Sequence, residues 1–319
     1  MEAGLPLVPV DEVRVTVVTD NTFDYLLRTE GSVERAAYGP DPADRPLPIG
    51  EHGFSVLIRT RVVGRWATVM FDTGVSGRGL LYNCDALDLR LSEINAVVLS
   101  HGHFDHAMGL VGLLQRLGVR GMPLVLHPDA YLQRKAVLPD GSETNLRPPA
   151  RSDLLKEGVE LIEEVGPSML VDRTVLVSGE VARTTSFETV GLPHQYALRD
   201  GRWEHDPETH DDQCAIVNVR GKGLLVVTGC GHSGIINIVR NAQRITGVGE
   251  VHAVVGGFHL DGRVYEPLIA PTVAAFQEIG PRYLMPGHCT GWRATHAIAR
   301  ALPEAFVPNS VGTTLVLAA

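Results

Sequence analysis

An α/β protein built as two strand-rich halves is what this sequence predicts, on three observations. Strand-like and helix-like segments alternate along the chain, the strand-rich arrangement occurs twice, and neither an internal repeat nor a low-complexity tract interrupts it. The length of 319 residues and a hydrophobic content of 44% suit one large domain over 1–319, its halves at about 1–170 and 171–319 around a common core.

The elements follow from local patterning. Val13 to Val18 is a β-branched run that ends at Asp20-Asn21-Thr22. Phe54 to Arg59 and Arg65 to Phe71 read as two strands joined by a turn at Val63-Gly64. Ala96 to Leu99 is a short buried strand, and Ala107 to Leu117 reads as one helix stopped by Gly118. The segment 134–156 is rich in Pro and charge and reads as an exposed excursion able to cover a pocket. Beyond it, strands are expected at Val175–Val177, Ala215–Val219, Leu224–Thr228, Ala253–Val255, Tyr283–Met285 and Thr313–Leu317. Helices are expected at Ile235–Thr246, Ile269–Glu278 and Arg293–Ala301.

Composition narrows the function. The 28 basic and 37 acidic residues give a net charge of -9 with no long single-sign run, which argues against a nucleic-acid partner. The first residues lack a basic start and an apolar stretch, and eighteen apolar residues never run together, so the protein is expected to be cytoplasmic and to have no membrane partner. A small-molecule substrate is the expected partner, and the oligomeric state stays open, a homodimer included. The 4 cysteines form no CxxC pair, so any metal site must lean on histidine and carboxylate.

The chemistry begins at Ser100-His101-Gly102-His103-Phe104-Asp105-His106. Residues two apart in an extended segment face the same side, so His101 and His103 can address one ion as the strand ends. Gly102 lets the backbone pass close to that ion, and Asp105 and His106, on the turn into the next helix, can reach a second. Such a concentration of donors directly after an apolar strand is costly without a cation. Three further histidines follow apolar strands and are flanked by glycine: His232 in TGCGHSG, His259 in GGFH and His288 in PGHCTG. His232 and His288 are expected as ligands. His259 is a candidate ligand, proton donor or substrate contact.

HGHFDH resembles the HxHxDH signature of the metallo-β-lactamase superfamily, and Phe71-Asp72-Thr73-Gly74 resembles that family's preceding strand end. The resemblance implies a four-layer αββα sandwich of two mixed sheets with outer helices and a dinuclear site at one edge. Asp72 would orient a ligand histidine, with turn capping as the plainer alternative. Where the family usually has Thr-Gly-Asp, with a carboxylate bridging both metals, this chain has Thr228-Gly229-Cys230. Either the Cys230 thiolate bridges soft or borderline metals, or Cys230 points away and His232 supplies the ligand; the second is the expectation. Asp211 or Asp212 can replace the missing carboxylate, although a solvated acidic turn explains them equally well.

Asp20-Asn21-Thr22, Glu51-His52-Gly53-Phe54-Ser55, LSHGHFDH, Asp211-Asp212-Gln213, TGCGHSGI, GGFHL and HCTG together resemble a subgroup of that superfamily. Its members are 7,8-dihydropterin-6-yl-methyl-4-(β-D-ribofuranosyl)aminobenzene 5'-phosphate synthase-like proteins. Asp20, Asn21, Glu51 and His52 become candidate pocket residues, a surface Glu-His pair being the bland alternative for the last two. The expected cofactors are two divalent ions, zinc first, with iron or manganese as alternatives. The expected activity is hydrolysis of a small, phosphorylated or pterin-like metabolite by a metal-activated water, with Asp105 and His259 in catalytic roles. A dihydropterin-type condensing synthase and a non-enzymatic metal, redox or ligand sensor are the other readings.

Overall fold

The computed structural model describes residues 4–38, 41, 46–189 and 191–319. The first sheet runs, edge to edge, Val33–Arg35, Thr313–Ala318, Glu12–Thr19, Ser55–Val62, Arg65–Phe71, Ile94–Val98, Pro123–Leu126 and Glu160–Glu163. The second runs Ser168–Leu170, Val175–Val177, Cys214–Val219, Gly223–Thr228, Val251–Gly257 and Tyr283–Gly287. Period-2 patterning explains how they stack. Val13, Val15 and Val17 point one way from their strand and meet Ala215, Val217, Leu225, Val227 and Val255 of the opposite sheet.

The outer faces are closed by helices. Leu57, Met70, Val97 and Leu124 pack against Leu80 and Cys84 of the helix Gly77–Ala86 and against Leu110, Leu113 and Leu114 of Leu110–Leu117. On the far side Val254 and Leu284 meet Ile235, Ile236 and Val239 of Ile235–Thr246, Phe276 of Ile269–Ile279 and Ile298 of Trp292–Ala301. The result is the four-layer αββα sandwich with two mixed sheets that the resemblance implies. Among the described residues no helix is long and apolar enough to cross a membrane.

The expected helix from Ala107 to Leu117 is broken: Phe104–Ala107 and Leu110–Leu117 are separate, with Gly118 in the left-handed conformation at the end. At the break the Gly109 N–H turns to the Gly74 carbonyl at 3.4 Å, and this close approach requires glycine, because a β-carbon there would collide with the Thr73 carbonyl. The segment 134–156, read as an exposed excursion able to cover a pocket, is in part ordered into regular structure. Arg134–Val137 and Glu143–Leu146 form a hairpin, and Gln195–Arg199 and Arg202–His205 complete a third, four-stranded sheet around it; Arg151–Lys156 is helical. The tip of the hairpin is exposed, as expected, but its base is not.

At that base the Arg134 side chain is almost wholly buried. Its Nε lies 3.0 Å from Asp206 Oδ2, and its Nη2 and Nη1 donate to Asp211 at 2.6 and 3.2 Å. Asp211 in turn accepts the Gly102 N–H at 2.7 Å. Burial alone would raise the Asp211 pKa, but the Arg134 guanidinium more than reverses this and holds it below the ordinary carboxylate value. Asp211 therefore adds stability above its unfolded pKa, and that contribution is lost as the pH falls through its lower folded value. Removing one partner of a buried pair leaves an uncompensated charge. Arg134→Leu is expected to cost about 3–5 kcal/mol at neutral pH and to flatten the acid limb of the stability profile, read from urea denaturation at pH 7 and pH 3; equal midpoints in both proteins would refute it.

Candidate metal centre

The parallel strands of both sheets end at one rim. Arg65–Phe71, Ile94–Val98 and Pro123–Leu126 are parallel neighbours in the first sheet, and Gly223–Thr228, Val251–Gly257 and Tyr283–Gly287 in the second. Asp72, His101, Cys230, His232, His259 and His288 all lie just past the carboxyl ends of these strands, which is where open α/β sheets place their ligands.

Hydrogen bonds fix which nitrogen of each histidine faces inward. Asp72, at φ 60°, accepts the Ser100 N–H at 2.6 Å and the Ser100 hydroxyl at 2.7 Å, so the Ser100 oxygen is left to accept from His101 Nδ1 at 2.9 Å. His106 Nδ1 donates to Asp72 at 2.7 Å, and His103 Nε2 donates to Gln195 Oε1 at 2.8 Å. The opposite nitrogens, His101 Nε2, His103 Nδ1 and His106 Nε2, then carry free lone pairs. Asp72 thus orients a candidate ligand histidine instead of capping a turn.

Two donor sets result. His101 Nε2, His103 Nδ1 and His232 Nε2 form a triangle with sides of 3.0, 3.2 and 3.2 Å. Facing lone pairs repel at that range, whereas a cation held about 2.0–2.1 Å from each nitrogen would give sides of this order. In the second set, donor atoms of Asp105, His106, Cys230 and His288 lie within 4.8 Å of one another. His106 Nε2 is 3.2 Å from Cys230 Sγ, and Asp105 Oδ2 is 3.3 Å from His288 Nε2. The expectation that Cys230 turns away fails: its sulfur faces the second set while His232 serves the first. Their glycine-spaced turn, Cys230-Gly231-His232, lets adjacent side chains reach different sets, with Gly231 at φ 74°.

The electrostatics suit cations. Burial pushes His101 and His232 well below the usual histidine pKa, helped by neighbouring imidazoles, and burial with the Arg134 charge pushes His103 down to about 4. All three are neutral donors at pH 7. Burial would raise Asp105, but His106 and His288 outweigh it and keep it ionised. Burial would lower His288, yet Cys289, Asp105 and Asp20 bring it up to about 9, a mark of the negative potential that a metal would meet.

The supporting residues separate from the candidate ligands. Asp20 accepts the His288 N–H at 3.1 Å, and Asn21 Nδ2 donates to the His288 carbonyl at 2.8 Å, so this pair holds the backbone of His288, itself at φ 48°. Asp212 accepts the Ser233 N–H at 2.8 Å beside His232. Asp211 and Asp212 are fully buried, which overturns the solvated turn: Asp211 takes the Gly102 amide and Arg134, and Asp212 takes the Ser233 amide. His52 Nε2 sits 3.4 Å from Asp105 Oδ2 on the cavity wall. Glu51 does not line the cavity: it accepts from Ser76 Oγ at 2.9 Å behind it. The His259 ring leans on His232, with centroids 4.4 Å apart and planes inclined at 55°. Gly102 is required for a reason other than the one expected, since a β-carbon there would strike the Ala130 carbonyl. Sequence reading missed Gln195 and Arg134, which lie far from any histidine motif, and Ser100, which adjoins one.

A cavity of about 660 Å³ opens over both donor sets. Ala136, Leu138 and Leu146 of the third sheet form one wall, and Leu192, Pro193 and Val264 continue it. A sandwich with paired His/Asp donor sets at the strand ends defines the metallo-β-lactamase type of protein. The chain belongs to the metallo-β-lactamase superfamily, whose profile matches residues 49–242. It is 30% identical over 262 residues, 80% of this chain and 86% of the other, to a 7,8-dihydropterin-6-methyl-4-(β-D-ribofuranosyl)-aminobenzene-5'-phosphate synthase of Methanocaldococcus jannaschii. An uncharacterised protein of the same organism is 32% identical over 263 residues, 82% of this chain and 92% of its own length. A solved structure described as a metal-dependent hydrolase of the β-lactamase superfamily superposes with a TM-score of 0.72 at 25% identity, covering 96% of this chain and 100% of that one.

Replacing His101 and His103 together with alanine is expected to remove metal from the first set while circular dichroism stays native, because the core is apolar and distant; full metal content in that variant would sink the assignment. Gln195→Leu is expected to weaken metal binding about 10–100-fold by freeing the His103 ring, with Gln195→Glu restoring most of it, as read by competition with a chromophoric chelator.

Proposed function

We propose that the protein is a two-metal enzyme that hydrolyses a small, anionic metabolite of the phosphorylated or pterin-like kind. The observation that carries this reading is the pair of donor sets opening together into one cavity. The mixed nitrogen, oxygen and sulfur donors favour zinc, with iron next. Bound there, such ions would act as Lewis acids and make a water acidic enough to attack at neutral pH.

The chain's own residues supply the rest. Asp105 contributes a carboxylate held ionised between His106 and His288. His52 and His259 face the cavity, where they can hold or pass a proton. Arg263 is the single Arg or Lys among the described residues lining it, and its charge suits a phosphate or carboxylate on the substrate. The apolar wall of Ala136, Leu138 and Leu146 suits a flat ring. The hairpin tip, residues 138–142, reaches the cavity through Leu138.

The named methanogen relative supports a second reading, condensation of a pterin diphosphate with an aminobenzene ribotide. One experiment separates the two. Metal-loaded protein is incubated with chromogenic phosphodiesters, esters and lactones, and in parallel with 7,8-dihydropterin-6-methyl diphosphate and the ribosylaminobenzene phosphate. Hydrolysis of a chromogenic ester or diester, with KM raised and melting temperature held when 139–142 is deleted, is expected. Coupled product from the second mixture alone would overturn hydrolysis and establish the synthase.

A further inference from the structure

A third group of donors adjoins the two described above. Cys230 Sγ, Cys289 Sγ and a ring nitrogen of His259 lie within 4.8 Å of one another. We propose that these three residues form an additional cation site that takes a thiophilic divalent ion of the zinc and cadmium class.

Four observations carry it. All three side chains line the cavity, so an ion has a path in. Both cysteines are free thiols, and Cys289 Sγ lies 3.3 Å from the Cys230 carbonyl, which brings the second thiol in beside the first. The Nδ1 of His259 is buried without a hydrogen-bond partner, although buried ring nitrogens are normally satisfied. Finally, His259 is held in place at a backbone cost. It adopts φ 43°, a left-handed conformation that strains a residue with a β-carbon, and its ring is clamped between His232 at 4.4 Å and the edge of Tyr265 at 4.6 Å. Tyr265 is itself tethered by its hydroxyl to the Gly191 carbonyl at 2.8 Å.

The donor chemistry sets the ion. Two sulfurs and one imidazole exclude magnesium, calcium and manganese as preferred occupants and select zinc-like ions. Three protein donors with the cavity on the remaining side leave a coordination position open, as in exchangeable sites and unlike closed structural ones. Cys230 belongs to this set and to the one with Asp105, His106 and His288, so the two positions share a sulfur.

The test uses the full chain stripped with a chelator under reducing conditions and titrated with cadmium chloride, counting bound cadmium by elemental analysis and following sulfur-to-cadmium absorption in the ultraviolet. The wild type is expected to take a third equivalent. Cys289→Ser should lose that equivalent and part of the sulfur absorption, keeping the other two. His259→Gln, which retains both thiols, should bind the third equivalent at least about tenfold more weakly, so the inference survives a Cys289 variant that fails to fold. Two equivalents in the wild type, unaffected by Cys289→Ser, would overturn the third site and leave the dinuclear reading standing. A single equivalent that depends on Cys289 would support this site and overturn the dinuclear one.

Discussion

Imidazole lone pairs repel when they converge in a buried space, and this rim makes several of them converge. The arrangement depends on the Asp72 carboxylate, which takes the Ser100 amide, the Ser100 hydroxyl and His106 Nδ1 at once. By filling the hydroxyl's donor capacity, it also decides the tautomer of His101 through the serine oxygen. One acid therefore aims two histidines, one from each donor set. Its own left-handed backbone turns the carboxylate back under the neighbouring strand end, and a β-carbon at Gly229 would press against it and Ser100. The strain and the small neighbour belong to the same device.

The first donor set is oriented in part by a residue the sandwich itself does not supply. Gln195 comes from the third sheet, which Arg134 fastens through Asp211 to the amide of Gly102. The cover of the cavity and the orientation of His103 are thus mechanically one unit. The Cys230 sulfur beside His106 adds a soft donor to the nitrogens and carboxylate of the second set.

What the sequence made legible follows from the range of the forces involved. Strand and helix limits such as Gly223–Thr228 and Ile235–Thr246 follow from local periodicity, and the helix is amphipathic enough to be seen unaided. The cluster from His101 to His106 is equally local. Partners that meet across more than a hundred positions leave no such trace: Cys230 beside His106 spans 124 residues, and Asp211 on Gly102 spans 109. The acid at 211 looks like part of a solvated turn because its charge is compensated by Arg134, a residue that on its own reads as surface, and the one at 212 because its partner, the Ser233 amide, lies twenty-one positions away. Glu51 was indistinguishable from a pocket residue because a side chain's direction off a loop is decided by contacts such as Ser76, not by pattern.

The strand Thr313–Ala318 lies between Val33–Arg35 and Glu12–Thr19 in the middle of the first sheet's outer half, with Thr16 and Thr314 in contact across 298 positions. During synthesis, then, the sheet that carries Asp72 and His101 has a gap along Glu12–Thr19 until Thr313–Ala318 has emerged. Every candidate metal donor named above is already made by that moment, His288 included. Closure of the sheet is consequently a late, long-range event, and a nascent chain exposes an unpaired strand edge beside a set of metal donors that is complete in composition before its scaffold is sealed.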